Sequence, residues 1–166
     1  MYQVGEFIVH PGQGVCKVDE VVLEPQELYM LMPVGSRHPM RISFPISGED
    51  RLRPVLSRDE AEALIGEYAQ MDTDGFTERS LALEEEHFKN TIRHGTCRDS
   101  VRVVKTFRKR IAEVRSRNKK PPVAYERILK QASERSLSEL AIALGTTPDD
   151  VRMLFESQDG EDVSAN

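Results

Sequence analysis

The chain has 166 residues, of which 39% are hydrophobic and 31% are charged, so its composition is that of a folded protein and excludes wholesale disorder. No apolar run approaches the roughly 20 residues that a membrane-spanning helix needs, and the first residues lack the basic and apolar regions of a signal peptide. We therefore expect a cytoplasmic protein without membrane association. Its two cysteines, Cys16 and Cys97, are expected to be reduced.

The net charge of -5 conceals blocks of opposite charge along the chain. Residues 88–135 carry 15 basic and 4 acidic side chains, whereas residues 58–87 carry 2 and 10, and residues 136–166 carry 1 and 7. A basic segment between two acidic segments indicates an anionic partner, or else pairing of the segments with each other.

Residues 1–56 are predicted to form a small β-domain. Apolar runs separated by turn residues predict five strands, at 7–9, 15–23, 28–32, 40–45 and 52–55. The first two strands flank the turn Pro11-Gly12-Gln13-Gly14, whose glycines can adopt positive φ. Five short strands in about 50 residues suggest a strongly bent sheet or barrel of the Tudor or SH3 type.

From Ser57 the apolar period becomes helical, and residues 57–158 are predicted to form a compact all-α domain. The fold class is therefore α+β, with residues 159–166 as a flexible tail. Capping boxes starting at Ser57 and Ser136 predict two of the helix starts. Six helices are predicted: from Ser57 past Tyr68, over 77–94, after Asp99, around Tyr125 to Ala132, over 136–145 and over 147–155.

No constellation of catalytic residues is present. The four histidines have no metal-ligand spacing with each other or with cysteine, and Gly12-Gln13-Gly14 lacks the helix and lysine of a phosphate loop. Glu84, Glu85 and Glu86 are neighbours that point in different directions on a helix, which predicts a solvated acidic face. We expect no enzyme, no cofactor and no metal.

The third predicted helix and the residues after it carry most of the basic block. Nine of these cations are candidate DNA-binding residues: Arg102, Lys105, Arg108, Lys109, Arg110, Arg115, Arg117, Lys119 and Lys120. Arg102 and Lys105 lie on a stripe opposite the apolar stripe of Val104 and Phe107, as a phosphate-binding helix requires. A solvated helix paired with the acidic segment 58–87 explains the same pattern equally well. Nothing resembles a base-reading code, so any DNA contact is expected to be weak and independent of sequence.

Residues 138–155 are similar to the first two helices of a helix-turn-helix, which would make the chain an independent DNA-binding regulator. Asp149 and Asp150 stand at the start of the recognition helix in this interpretation, where their carboxylates would face phosphate. A helical hairpin formed for packing is therefore favoured, and the independent regulator is kept as the alternative.

Several stretches match a known family: the run Val9-His10-Pro11-Gly12-Gln13-Gly14-Val15, residues 2–8, 29–31, 42–45 and 52–57, and, more weakly, 88–90, 101–110 and 126–144. In these stretches the chain resembles the CarD/CdnL family of bacterial transcription regulators, which bind RNA polymerase. The resemblance spans residues 1 to about 145, and its N-terminal pattern is the more specific part.

The resemblance implies a Tudor-like domain that binds the β subunit of RNA polymerase. It also implies a helical domain that contacts promoter DNA near the upstream edge of the bubble and stabilises the open complex. The β-subunit contact maps onto Arg41, Ile42, Ser43, Phe44 and Pro45, often through pairing at a sheet edge. The family often has an arginine at the position of Ser43, and Arg41 is the candidate substitute. Core packing alone also explains Ile42 and Phe44.

The chain departs from the family at one position. Many members carry a tryptophan near the start of the second helix of the C-terminal domain, where it wedges into the edge of melted DNA. This chain has no tryptophan, and the matching region reads Leu83-Glu84-Glu85-Glu86, whose charge would repel phosphate. We therefore expect a monomer that binds polymerase and contacts promoter DNA only weakly.

Overall fold

The computed structural model describes the backbone of residues 1–164 and the side chains of residues 1–158. The chain divides into two compact units, Met1–Ser57 and Arg58–Asn166. An antiparallel sheet followed by helices confirms the predicted α+β class. The flexible tail predicted for residues 159–166 lies outside the fully described residues.

The N-terminal unit is an open antiparallel sheet of five strands in the order β4-β3-β2-β1-β5. The strands are β1 (Phe7–His10), β2 (Gly14–Val22), β3 (Leu28–Pro33), β4 (Ile42–Pro45) and β5 (Arg53–Pro54), with a short 3-10 helix, Ile46–Arg51, before β5. All five predicted strands are present. Because β4 is the first strand of this order, one of its two sides has no neighbouring strand in the part of the chain that is described.

One face of the sheet forms the core, and the other is called the outer face here. The core residues are Ile8, Cys16, Val18, Tyr29, Leu31, Phe44 and Leu52. Alternate residues point to the outer face. On this face Lys17 of β2 pairs with Met32 of β3, and Met30 of β3 lies between its two partners, Glu20 of β2 and Ser43 of β4. A bulge between Val18 and Glu20 leaves the consecutive Asp19 and Glu20 both exposed.

Over residues 58–164, the second unit contains five α-helices: α1 (Arg58–Glu67), α2 (Leu81–His94), α3 (Cys97–Ser116), α4 (Val123–Leu144) and α5 (Pro148–Ser164). Its core cluster is formed by Phe88, Ile92, Val103, Val104, Phe107, Ile128 and Ala132. No helix within the described residues is long and apolar enough to cross a membrane.

Two predicted helix starts are wrong by a few residues. Helix α2 begins at Leu81 instead of Thr77, because the preceding backbone binds side chains: the Phe76 N–H donates to Asp74 and the Glu78 N–H to Glu84. Helix α3 begins at Cys97, before Asp99, since Thr96 and Asp99 form a reciprocal capping box.

The second predicted capping box is also wrong, because α4 is one continuous helix of 22 residues. The Ser136 hydroxyl donates back to the Ala132 carbonyl oxygen at 2.8 Å, as a serine inside a helix does. Helix α4 ends where predicted, at Gly145, whose φ of 66° is the left-handed conformation that suits glycine. Helix α5 continues beyond Phe155, the predicted end.

Candidate functional site

The unpaired side of β4 presents the backbone of one residue in particular. Ile42 pairs with Leu31, and Phe44 pairs with Tyr29. Two residues further along, the Ile46 N–H donates a hydrogen bond to the Glu27 carbonyl, so every second residue from Ile42 to Ile46 directs its backbone groups toward β3. Alternation therefore directs the backbone N–H and C=O of Ser43 away from β3. Pro45 also faces outward and has no N–H, which is the position that an edge strand allows for proline. Ser43 is thus the β4 residue with both an outward donor and an outward acceptor.

The five residues predicted to contact polymerase differ in side-chain exposure. Phe44 is 6% exposed in the core, and Ile42 is half-buried against the same core. Ser43 and Pro45 are exposed. A partner that binds this edge therefore meets the side chains of Ser43 and Pro45, while Phe44 stabilises the strand from inside.

The turn after β1 supports β4 through His10. The Nδ1 atom of His10 accepts hydrogen bonds from the backbone N–H groups of Gly12 at 3.0 Å and Gln13 at 3.1 Å. Because Nδ1 is the acceptor, the ring proton is assigned to Nε2. The His10 ring contacts the Phe44 ring edge-on, with centroids 5.4 Å apart. Sequence reasoning missed this role, although a histidine two residues before a glycine in a turn is a signal that could have found it.

Arg41 lies across the outer face instead of projecting from the edge. Its Nη2 atom is 2.8 Å from an oxygen of Asp19 and 2.9 Å from one of Glu20, the two carboxylates that the bulge exposes side by side. The hydrogen bond to Glu20 raises the pKa of the Arg41 guanidinium. Two carboxylates facing one cation leave one excess negative charge, so Arg41 is not a freely projecting substitute for an arginine at position 43.

Residues 2–56 match the family model described as the CarD-like/TRCF RID domain. Residues 2–56 are called the RID domain here, after this match. The match covers all five strands and confirms the family resemblance of this part of the chain. RID domains are non-catalytic RNA polymerase interaction domains, and the family binds the β subunit. No curated protein matches the chain.

Outside the RID domain, four of the predicted DNA-binding cations are half-buried. Arg102 and Lys105 do not lie on an exposed stripe as predicted, since both are partly covered. The Lys105 Nζ atom donates to the carbonyl oxygens of Tyr68 at 2.7 Å and Ala69 at 2.9 Å. Arg108 donates to the Tyr68 hydroxyl at 3.3 Å. These contacts stabilise the helical unit and limit what these residues can offer to DNA.

Arg110, the fourth of these cations, contacts backbone carbonyls, a carboxylate and two aromatic rings. Its Nη2 donates to the carbonyl oxygens of Asp74 at 3.2 Å and Phe76 at 2.6 Å, and its Nη1 lies 3.9 Å from a carboxylate oxygen of Glu84. The guanidinium also lies 5.4 Å and 5.0 Å from the ring centroids of Phe88 and Phe107. With its side chain 16% exposed and its guanidinium held by these contacts, Arg110 packs beside the core and has little charge left for a phosphate.

The remaining predicted cations are exposed, and four of them form what we call the cationic loop, at the end of α3 and before α4: Arg115, Arg117, Lys119 and Lys120. Within it, Arg115 has an acidic neighbour, a Glu126 oxygen 3.5 Å away. Lys109 is exposed earlier on α3. Four of the five exposed cations of the predicted set therefore lie at one end of the α3–α4 hairpin.

The predicted solvated acidic face is wrong for two of its three residues. Glu84 is 6% exposed beside Arg110, and its other oxygen accepts a hydrogen bond from the Glu78 N–H. Glu85 accepts hydrogen bonds from Arg127 at 2.9 and 3.0 Å, which lower the pKa of the Glu85 carboxyl. Only Glu86 of the three is exposed. The repulsion expected between this run and phosphate is therefore largely removed.

Two exposed apolar side chains form what we call the apolar patch: Leu81 and Val123, exposed by 47% and 56%. Leu81 and Val123 lie one turn before Glu85 and Arg127, which contact each other across α2 and α4. A second contact, Arg135 to the Arg93 carbonyl, shows that the two helices run in the same direction. The patch is therefore at the end of α4 that follows directly on the cationic loop.

The segment resembling a helix-turn-helix is packed as a hairpin. Its first helix is the end of α4, and in α5 Val151 and Phe155 are buried, with the Phe155 ring against Tyr68. A hydrogen bond from Thr146 lowers the pKa of Asp150. Within the described residues, no three histidine, cysteine or acidic side chains come together as a metal ion would require.

Proposed function

We propose that this chain is a non-catalytic adaptor that binds the β subunit of RNA polymerase through the free edge of β4 and regulates transcription initiation. The observation that carries the proposal is the RID match over residues 2–56. The residues proposed at the contact are Arg41, Ile42, Ser43, Phe44 and Pro45, of which Ser43 supplies the backbone hydrogen bonds. A β-subunit segment in extended conformation would extend the sheet by one strand.

Co-purification with polymerase tests the proposal most directly. A tagged full-length chain is expressed in its host, and the retained proteins are assayed for RNA polymerase and for the purified β-subunit lobe added separately. We expect both to be retained. If the folded chain retains neither the polymerase nor the lobe, the proposal is wrong.

The proposal includes a weak contact with promoter DNA at one end of the helical unit. The cationic loop supplies charges for phosphate oxygens, which position a protein on DNA without reading its sequence. The adjacent apolar patch supplies exposed leucine and valine side chains, and apolar side chains are the type that contact unstacked bases. This arrangement supports stabilisation of an open complex by polymerase-bound protein, because a few exposed cations bind DNA weakly by themselves.

Reversing two charges of the cationic loop checks the DNA contact. The double variant K119E/K120E is expected to shorten the lifetime of the open complex and to reduce the salt dependence of DNA binding by about two units of slope. Polymerase affinity without DNA should not change, because both lysines lie outside the RID domain. Fluorescence anisotropy of a forked promoter fragment at several salt concentrations, with polymerase present, measures the slope.

The variant K109E is the matched control for this experiment, since it reverses an exposed charge on α3 away from the loop. Equal effects of K109E and K119E/K120E would contradict a contact centred on the loop. Steep, salt-sensitive binding of the full chain to duplex DNA without polymerase would instead favour the independent DNA-binding regulator.

A further inference from the structure

On the outer face of the sheet, Ser43 of β4 lies directly beside Met30 of β3. We propose that the strand added to β4 places a large apolar side chain over Ser43 and against Met30, so that the Ser43–Met30 pair determines specificity. This inference rests on the proposed function, since the added strand belongs to the β subunit.

The register of the sheet brings Ser43 and Met30 together. They are direct partners between β4 and β3, and they form the type of pair without mutual hydrogen bonds, in which Cα atoms are about 4.5 Å apart. Both side chains point to the outer face, where Ser43 is exposed and Met30 is half-buried. Met30 is not among the core residues, so its packing on this face is incomplete.

An added strand would continue this row of side chains. The partner residue opposite Ser43 would direct its side chain to the same outer face, because paired residues of neighbouring strands share a face. Serine is small, so a long apolar side chain can cross it and reach the methionine thioether, which adapts easily to different apolar shapes. A bulky residue at position 43 would separate the two.

The neighbours of Ser43 favour an apolar partner residue over an acidic one. Arg41 precedes Ser43 on the same face, but its guanidinium is held by Asp19 and Glu20, whose charges exceed its own by one. Pro45 follows on the same face and is apolar and exposed. A partner carboxylate at this position would therefore lie in the same row as Glu20, which pairs with Met30, and beside the apolar Pro45, whereas a large apolar side chain would be buried against Met30 and Pro45.

Substitutions of two methionines on β3 test the inference on the full-length chain with RNA polymerase core enzyme from its host. We expect M30A to lower the affinity by about five- to tenfold, and M30L to keep it within about twofold. The matched control is M32A. Met32 is the next residue of β3 on the outer face, two residues after Met30, and lies at the level of Arg41, so this substitution should change the affinity by less than about twofold. Thermal unfolding checks that each variant is folded.

Photo-crosslinking identifies the partner side chain directly. A photoreactive phenylalanine analogue placed at position 30 is expected to crosslink to a large apolar residue of the β subunit. The inference is overturned if M30A binds like the wild type, if M32A weakens binding as much as M30A does, or if position 30 gives no crosslink to the β subunit. A small or acidic crosslinked residue overturns it too. Failure of the wild-type chain to bind polymerase would instead overturn the proposed function, and this inference with it.

Discussion

Replacing Ser43 with proline is expected to weaken binding to RNA polymerase strongly while leaving the RID domain folded. The Ser43 N–H points away from β3, so the substitution removes no hydrogen bond inside the sheet. The proline ring would occupy the place where a partner carbonyl has to approach. Pro45 already stands two residues later in the equivalent outward position, so this edge accommodates proline.

The expected loss is about 30- to 150-fold in affinity, because proline removes the donor of one interface hydrogen bond and its ring displaces the partner strand from the other, at about 1 to 1.5 kcal/mol each. Retention of polymerase core enzyme on the immobilised chain measures it. The control is S43A, which keeps the backbone donor and should bind within about twofold of the wild type. Polymerase binding by a folded S43P variant at wild-type affinity would show that the β4 edge is not the contact.

Replacing Arg110 with alanine is expected to destabilise the helical unit by about 3 to 5 kcal/mol. The change leaves the buried Glu84 without its cation, and the carbonyl oxygens of Asp74 and Phe76 without their donor. It also removes the cation from the faces of two core aromatic rings. For a unit of about 100 residues this corresponds to a fall in Tm of at least about 10 °C, which calorimetry measures.

The exposed neighbour Lys109 provides the control, since K109A should change the unfolding free energy by no more than about 0.5 kcal/mol. The double variant E84Q/R110M should recover part of the loss, because it removes both buried charges together. An R110A variant that unfolds like the wild type but weakens the open complex would show that Arg110 contacts DNA after all.

Much of the RID domain could be predicted from local sequence. Alternation along residues 40–45 predicts a half-buried strand with Ile42 and Phe44 toward the core, and the structure buries Phe44 and half-buries Ile42. Strand position within the sheet was not predictable in this way, because strand order depends on contacts between distant segments. The free edge at Ser43 and the support of Phe44 by His10 therefore became visible only in the fold.

In the basic segment, by contrast, local sequence did not predict which side chains are exposed. Residue type identifies Lys105, Arg110 and Lys119 equally well as cations, and helical periodicity placed Lys105 on the face that should be exposed. The fold separates them, since Lys105 binds carbonyl oxygens at the end of another helical segment and Arg110 packs beside the aromatic core. Cations on one helix differ in availability because their partners come from segments more than 30 residues away.

By itself, the sequence determined the α+β class, the five strands and the family resemblance, because periodicity and turn chemistry act over a few residues. The prediction of a helix start at Ser136 was wrong, because a capping box and a serine inside a long helix have the same local sequence pattern. Only the tertiary structure decided which polar groups have partners inside the protein. Arg110 lies beside Glu84, and Arg41 binds the two carboxylates of the bulge. The outward backbone groups of Ser43 face no neighbouring strand among the described residues. The physical reason is that burial and pairing of charges depend on which segments meet in space.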